Sequence, residues 1–418
     1  MRIFPKNVFY GWRIATAGAV INALIAGFLN ASFGSYVAVL TEEKGWSKTA
    51  LSGAASMKPV EADFLGPVLG WFMDRFGSRD MIRIGVVLFG VGFMLLSQIE
   101  TLVHLYLAIL VIALGSSLCG NFPLNVVLIH WFEKKRARAL SATWLGSAAG
   151  GIMVPLVAWG MHEFGWRPVA FASGVIFILA CWPLAKVMRG RPEDMGETVD
   201  GLPPAPTKKG EPEAKPSHEQ GHTAKQALLG APFWLISMGH CFALFAVIAV
   251  NVHSITHIKE SLDYPISEAA LYYTLVLAFQ VGGILLGWVL GDKYDKYDKR
   301  YIAGCCMLAH MLGILLLAYA TGPLMLVMFA ALHGTAWGLR GPFMAAMRAD
   351  YFGRKEIGMI LGLSGLVVVL GQVGGPMLAG VLADLFGNYR AAFTVLALMA
   401  GSGSVFFLVL KKPGAVRG

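Results

Sequence analysis

Charge is scarce in this chain. Of 418 residues only 14% are Asp, Glu, Lys or Arg, against 56% that are hydrophobic. Soluble domains carry about 25% charged residues, so a fully water-covered globular surface is excluded. Cysteine is scarce as well. The five thiols, Cys119, Cys181, Cys241, Cys305 and Cys306, all fall in apolar stretches, which excludes an extracellular disulfide framework. Cys305 and Cys306 are adjacent and too close in the chain to share a metal. There is no phosphate-binding loop, no HExxH and no nucleophile beside a base, which argues against an ATP-driven pump and against an enzyme. No cofactor and no metal is implied. No short cleavable leader is expected, because the first apolar run is far longer than a signal-peptide core.

What the chain has in abundance is apolar length. A membrane-spanning helix needs about 20 such residues. Twelve segments qualify, at 12–39, 49–73, 82–99, 103–130, 137–162, 168–188, 232–258, 268–290, 301–320, 324–349, 357–384 and 391–410. The chain is therefore expected to be an all-α membrane protein, with the lipid bilayer as its surroundings.

The basic residues divide unevenly among the gaps. With the N-terminus taken as cytoplasmic, one alternating set of segments and flanking helix ends holds 27 of the 34 Lys and Arg. The other set holds only Lys44, Lys48, Arg167, Lys259 and Arg390, and Lys58 and Arg340 lie inside apolar segments. Basic residues stay on the cytoplasmic side during insertion, so both termini are expected there. The net charge of +9 is thus a topology signal at helix ends and gives no reason to expect a nucleic-acid partner.

One connection is long. Residues 189–229, rich in Pro, Lys, Glu and Gly, read as a flexible cytoplasmic linker. It separates a six-helix bundle at 1–188 from another at 230–418. The halves repeat. "WFEKKRARAL" from Trp131 corresponds to "YFGRKEIGMI" from Tyr351, "FGWRPVAF" from Phe164 to "FGNYRAAF" from Phe386, and "LGWFMDRFGSR" from Leu69 to "LGWVLGDKYDK" from Leu286. The offsets are 220, 222 and 217. Parallel repeats of this kind predict two pseudo-symmetric six-helix bundles with a site between them near the midplane.

The chain resembles the major facilitator superfamily. "GPVLGWFMDRFGSR" from Gly66 to Arg79 is similar to the superfamily's loop between helices 2 and 3, with Gly70, Asp74, Arg75, Gly77 and Arg79 in place. "YGWRI" at Tyr10, "GWS" at Gly45, "WFEKKRARALS" at Trp131 and "FGWR" at Phe164 are similar to the bacterial monocarboxylate and oxalate-formate branch. Members of that branch often carry a basic residue in helix 8, and 268–290 has none. The resemblance implies a secondary transporter of the cell inner (plasma) membrane, monomeric, working by alternating access. Its expected substrate is a small organic anion, a carboxylate, moved with a proton. It also implies that helices 1, 4, 7 and 10 surround the cavity.

Several polar residues are costly inside a membrane and become site candidates. Arg340 lies in the tenth segment, with His333 and Trp337 on the same face at helical spacing. A guanidinium there can grip a carboxylate by two parallel hydrogen bonds, or it can be a structural cation paired with helix-end carbonyls or an acid such as Asp350. Lys58 and Glu61 lie three apart in the second segment. They read as an internal ion pair, or as a proton carrier (Glu61) and part of the substrate path (Lys58). Asn30, Asn121, Asn125, Gln280 and Gln372 are candidate substrate contacts or interhelical hydrogen bonds. His310 lies in the ninth segment, which the resemblance implies is a peripheral helix. Gly70, Asp74, Arg75, Arg79 and, in the second half, Asp292 sit at helix ends as a gate. An efflux carrier for amphipathic compounds and a non-transporting ligand sensor are the rival readings. The topology is testable. Reporter fusions in the 189–229 loop and at the C-terminus should both report cytoplasm, and an external C-terminus would overturn the twelve-helix arrangement.

Overall fold

The computed structural model describes residues 8–46, 48–202, 221–291 and 299–411. Among them the chain is helical, with one isolated β-bridge between Gly221 and Gly353. Sixteen α-helices occur. They are α1 (Tyr10–Ile25), α2 (Phe33–Lys44), α3 (Lys48–Phe76), α4 (Arg79–Leu96), α5 (Leu102–Cys119), α6 (Asn121–Trp131), α7 (Arg136–Ala149), α8 (Val154–Phe164), α9 (Trp166–Val187), α10 (Ala224–Leu229), α11 (Ala231–Leu262), α12 (Ile266–Leu290), α13 (Lys299–Ala318), α14 (Pro323–Phe352), α15 (Ile357–Phe386) and α16 (Arg390–Leu408). By length and composition nine described helical runs could cross a membrane. The others of spanning length are α3, with Lys58, Glu61 and Asp63 inside it, α4, whose first turns hold Arg79, Asp80 and Arg83, and α14, with Arg340.

The chain forms two compact units. The first comprises Met1–Gln220 with Arg354–Gly362, and the second Gly221–Gly353 with Leu363–Gly418. The packing repeats. In the first unit α4 packs on α5 and on α9, and α3 packs on α5. In the second unit the corresponding α13 packs on α14 and on α16, and α12 packs on α14. Small residues set these approaches, because helices in lipid associate by close van der Waals contact. Gly90 and Gly174 let α4 and α9 approach, each next to the other's carbonyl, and Gly283, Gly334 and Gly338 let the backbones of α12 and α14 meet.

The first unit differs from the second in the regularity of its helices. The segment expected to be continuous over 12–39 carries a π-helical bulge at Ala26–Ala31 between α1 and α2, where the Ser32 hydroxyl donates to the Gly27 carbonyl at 2.6 Å. The segment expected over 103–130 breaks at Gly120 (φ −90°, ψ −147°) between α5 and α6. Pro123, three residues later, lacks the N–H that would have bonded back across the break. The segment expected over 137–162 tightens into a 3-10 turn at Gly150–Met153, just before Pro155. In the second unit α11 and α14 run unbroken for 32 and 30 residues.

The expected flexible stretch at 189–229 is corrected at both ends. Residues 190–202 include two short 3-10 turns, and Asp200, in a left-handed conformation (φ 59°), accepts the backbone amides of Glu133, Lys134 and Lys135 at 3.1, 2.8 and 3.4 Å. Trp131 donates to the Arg189 carbonyl at 2.8 Å. At the far end His222 donates its amide to Phe352, and Thr223 and Gln226 form a capping box that opens α10. Residues 203–220 lie outside the described residues.

At the opposite end of the first unit Glu100 bridges Lys44 and Arg167, at 2.7 Å each. The Lys44 hydrogen bond, with the Arg167 charge, holds the exposed Glu100 carboxyl below the ordinary carboxylate range. The glycine packing gives a paired test. A Cβ at Gly283 would collide with the Thr335 carbonyl on α14, whereas one at Gly282 meets nothing. Gly283→Ala should lower stability by roughly 1–3 kcal/mol through overpacking, and Gly282→Ala should leave the melting temperature unchanged or raise it. Equal melting temperatures for the two variants would refute this packing.

Candidate functional site

The three irregular helices of the first unit share one polar cavity. It has a volume of about 210 Å³ and is lined by Asn22, Asn30, Ser116, Ser117, Asn121 and Ser147, among apolar neighbours. Asn30 lies in the π bulge, Asn121 opens α6 just past the break, and Ser147 sits one turn before the 3-10 segment. The Asn22 amide donates to Asn121 Oδ1 at 2.7 Å, and the Ser117 hydroxyl donates to Glu61 Oε2 at 2.8 Å. The structure therefore brings Asn30, Asn121 and Glu61 around one space. Asn125, one turn further along α6, is part-buried, and its Oδ1 has no hydrogen-bond partner. Lys58 is on α3 one turn before Glu61, and its side chain lies outside the described residues.

The second unit holds two buried arginines on α14 with different surroundings. Arg348 is 4% exposed. Its Nε and Nη2 donate to the Ser364 hydroxyl at 2.9 and 2.7 Å, Nη1 donates to the Met344 carbonyl at 3.1 Å, and Nη2 also donates to His240 Nδ1 at 3.1 Å. Ser364, already accepting twice, donates onward to Ser237 at 2.7 Å. Arg348 is thus well satisfied by neutral acceptors on α11, α14 and α15. Sequence reading grouped it with the loop charges near the helix end, and nothing in its spacing separated a buried arginine from a solvated one.

Arg340 is 1% exposed, yet its Nε and Nη1 are buried without any hydrogen-bond partner. The acid that could have satisfied it, Asp350, instead pairs with Lys299 at 2.7 Å, both buried. The guanidinium interacts electrostatically with Cys306 of α13 and His240 of α11. His333, two turns earlier on the same helix, is fully buried and meets His310 of α13, with Nδ1 to Nδ1 at 3.1 Å. His310 thus faces α14 from its own helix. Trp337 is half-buried between them in sequence. Gln280 lies on α12, where its backbone meets Gly338, and Gln372 is part-buried on α15 beside Gly371, which packs on the Cys241 carbonyl of α11. No described contact joins either glutamine to Arg340.

The candidate gate resolves into two helix caps within the first unit. Asp74, at the end of α3, accepts the amides of Gly358 and Met359 at 3.1 and 2.9 Å. Its carboxylate meets the positive end of the α15 dipole and satisfies two amides that the helix cannot. Gly70 and Gly66 allow the approach, since a Cβ on Gly66 would lie 3.2 Å from Gly362 Cα and one on Gly70 would collide with the Gly358 carbonyl. Arg354, just ahead of α15, donates Nε to the Ile129 carbonyl at 2.9 Å and Nη2 to the Phe132 carbonyl and Glu133 at 3.3 and 3.2 Å. It closes the C-terminal end of α6, where a cation is favoured. Arg354 was not among the expected gate residues, although it lies in the repeat "YFGRKEIGMI". Arg75 is exposed, with its guanidinium over the Trp71 ring at 5.3 Å, and Arg79 opens α4. Asp292 lies outside the described residues.

These features agree with comparison to known proteins. A family model described as Major Facilitator Superfamily matches residues 19–339 and 291–417. The chain belongs to the major facilitator superfamily. Monocarboxylate transporter 13 of Bos taurus is 26% identical over 97% of this chain and 91% of its own length. Monocarboxylate transporter 4 of Gallus gallus is 24% identical over 97% of this chain and 84% of its own. Among solved structures, a variant of the E. coli fucose:proton symporter FucP superposes with a TM-score of 0.70 at 14% identity, covering 96% of this chain and 98% of that one. The proton:xylose symporter XylE gives 0.65 at 14% identity, covering 96% and 95%. The fold is thus the twelve-helix fold of the superfamily, and the protein is a multi-pass membrane transporter related to monocarboxylate transporters.

The cap geometry carries its own test. Asp74→Ala removes both acceptors and should cost about 0.5–2 kcal/mol at the start of α15, whereas Asp74→Asn keeps an oxygen and should cost less. Hydrogen exchange at the Gly358 and Met359 amides should rise in the order wild type, Asn, Ala. Unchanged exchange in Asp74→Ala would show that the cap does not hold these amides in solution.

Proposed function

We propose that this protein is a secondary transporter for a small organic anion, a carboxylate, moved with a proton by alternating access across the inner (plasma) membrane, both termini cytoplasmic. The observation that carries the reading is Arg340. A charge buried without partners is unfavourable by several kcal/mol, and the neighbouring Arg348 shows that this helix can satisfy a buried guanidinium when it has only to be satisfied. Arg340 keeps two donors unmatched in a unit whose nearest buried acid is committed to Lys299. A planar carboxylate matches such a fork. The relatives' printed names, monocarboxylate transporters, point to the same substrate class, and the structural neighbours' titles name proton symporters.

The other candidates take supporting roles. His333 and Trp337 stand on the Arg340 face of α14. Asn30, Asn121 and Asn125 offer amides in the first unit, with Lys58 on the same unit, and Glu61 is an ionisable group beside that cavity. Gln280 and Gln372 line the second unit's helices. Asp74, Gly70, Arg75, Arg79 and Asp292 act at helix ends as the conformational gate. Trp337 beside the cation also suits an amphipathic compound, which is why neutral and cationic dyes belong in any ligand screen. The protein is read as acting as a monomer.

Arg340→Lys keeps charge and loses the fork, and Arg340→Gln loses both. Affinity for a carboxylate found by thermal-shift screening should weaken in that order. Loss of the charge-assisted bidentate contact should cost on the order of 2–3 kcal/mol. A folded Arg340→Gln protein with wild-type affinity would make Arg340 structural and remove the case for an anion.

A further inference from the structure

We propose that the His310–His333 pair is the site that binds the proton accompanying the anion. The proposal rests on the reading of Arg340 as the carboxylate anchor, and adds where the co-transported ion sits. Both rings are fully buried, their Nδ1 atoms are 3.1 Å apart, and the Nε2 atoms of both have no partner.

Tautomer chemistry makes this arrangement a proton acceptor. At 3.1 Å one Nδ1 must carry hydrogen and donate to the other, which must be bare. The accepting ring then holds its hydrogen on Nε2. The donating ring holds a lone pair on Nε2, buried and unused. A proton from water adds to that lone pair. The ring becomes an imidazolium that still donates its Nδ1–H to its neighbour, now as a charge-assisted bond. Hydronium is the donor: its O–H bond breaks as the N–H bond forms, neutral water leaves, and the positive charge is shared along a preformed N–H···N contact.

Arg340 links this event to the substrate. His333 shares its face of α14, at a separation of seven residues. The other groups facing this region are few. Cys306 on α13 and His240 on α11 lie around the guanidinium, and Arg348 is held by Ser364. Helix α16, packed on α13, has no ionisable side chain between Ala391 and Leu408, and α12, packed on α14, offers only Tyr272 and Tyr273 after Glu268. A second positive charge beside a bare guanidinium is disfavoured. Burial disfavours the charged pair as well, and a carboxylate on Arg340 brings a negative charge that offsets both. Anion and proton then bind together, each raising the affinity for the other by the same factor. Glu61, the other ionisable candidate, belongs to the first unit.

The experiment uses the purified full chain with lactate, oxalate and benzoate as probes, between about pH 6 and pH 8. Proton uptake on binding is read by calorimetry in buffers of different ionisation heat. Wild type should take up about one proton per anion, and affinity should fall up to about tenfold per pH unit on the alkaline side. His310→Gln/His333→Gln, with folding checked by melting temperature, should lose the proton uptake and the pH dependence of whatever binding remains, and E61Q, at the rival proton carrier, should still show uptake on binding. Nitrogen NMR of labelled histidine in wild type should show an imidazolium appearing on anion addition, with the assignment fixed by His310→Gln, and this needs no folded double variant. Uptake retained in the double variant and lost in E61Q, or no histidine change in wild type, overturns the proposal while leaving Arg340 as anchor. Binding that survives Arg340→Gln, or no Arg340-dependent binding of any probe, overturns the anchor and the proposal with it.

Discussion

Hydrocarbon offers no hydrogen bonds, so every backbone amide and carbonyl in it must find a partner within the protein. That constraint makes the chain helical and gives meaning to the places where helices fail. The π bulge at Ala26–Ala31, the break at Gly120 and the 3-10 turn at Gly150–Met153 each leave backbone groups outside the regular ladder. The first two supply lining residues to the cavity of Asn22, Asn30, Asn121 and the serines, and the third follows Ser147, which also lines it. Irregular backbone at membrane depth is tolerated where it is buried in protein or lines a cavity. The second unit keeps α11 and α14 continuous and places its polarity in side chains instead.

The same bookkeeping of unsatisfied groups explains the helix ends. Asp74 takes two amides at the start of α15, Arg354 takes two carbonyls at the end of α6, and Asp200 takes three amides ahead of α7. Each is a charged side chain set against a partial charge of opposite sign. Such contacts are individually modest and depend on geometry, so they can be made and broken without unfolding a helix. This suits Asp74 and Arg354 to a part of the chain that changes partners.

The span count, the repeat and the superfamily were legible in the sequence, because apolar length, charge placement and "GPVLGWFMDRFGSR" are local properties. Arg340 was legible as a cost, since an arginine inside an apolar segment needs a reason. What was not legible is what only neighbours decide. Nothing in the spacing says that Asp350 turns to Lys299 and leaves Arg340 open. Nothing says that Arg348, eight residues on, is satisfied by Ser364 and His240. His310 was judged by its helix number, and its partner is 23 residues away in the sequence. The helix breaks had partial signals in Gly120, Pro123 and Pro155, but a π bulge has no composition of its own.

The unmatched guanidinium on α14 bears on energetics at the scale of the membrane. Among the described residues of the second unit, Arg340 and Arg348 are buried cations with no acid partner. In the proposed cycle, a carboxylate on Arg340 and a proton on the histidine pair add charges that cancel, and the total is the same. Moving an elementary charge through a membrane potential is worth about 2.3 kcal/mol per 100 mV. A carrier whose loaded and empty forms have equal charge exchanges none of that energy per cycle, so its direction is set by the concentration and pH gradients, independent of voltage.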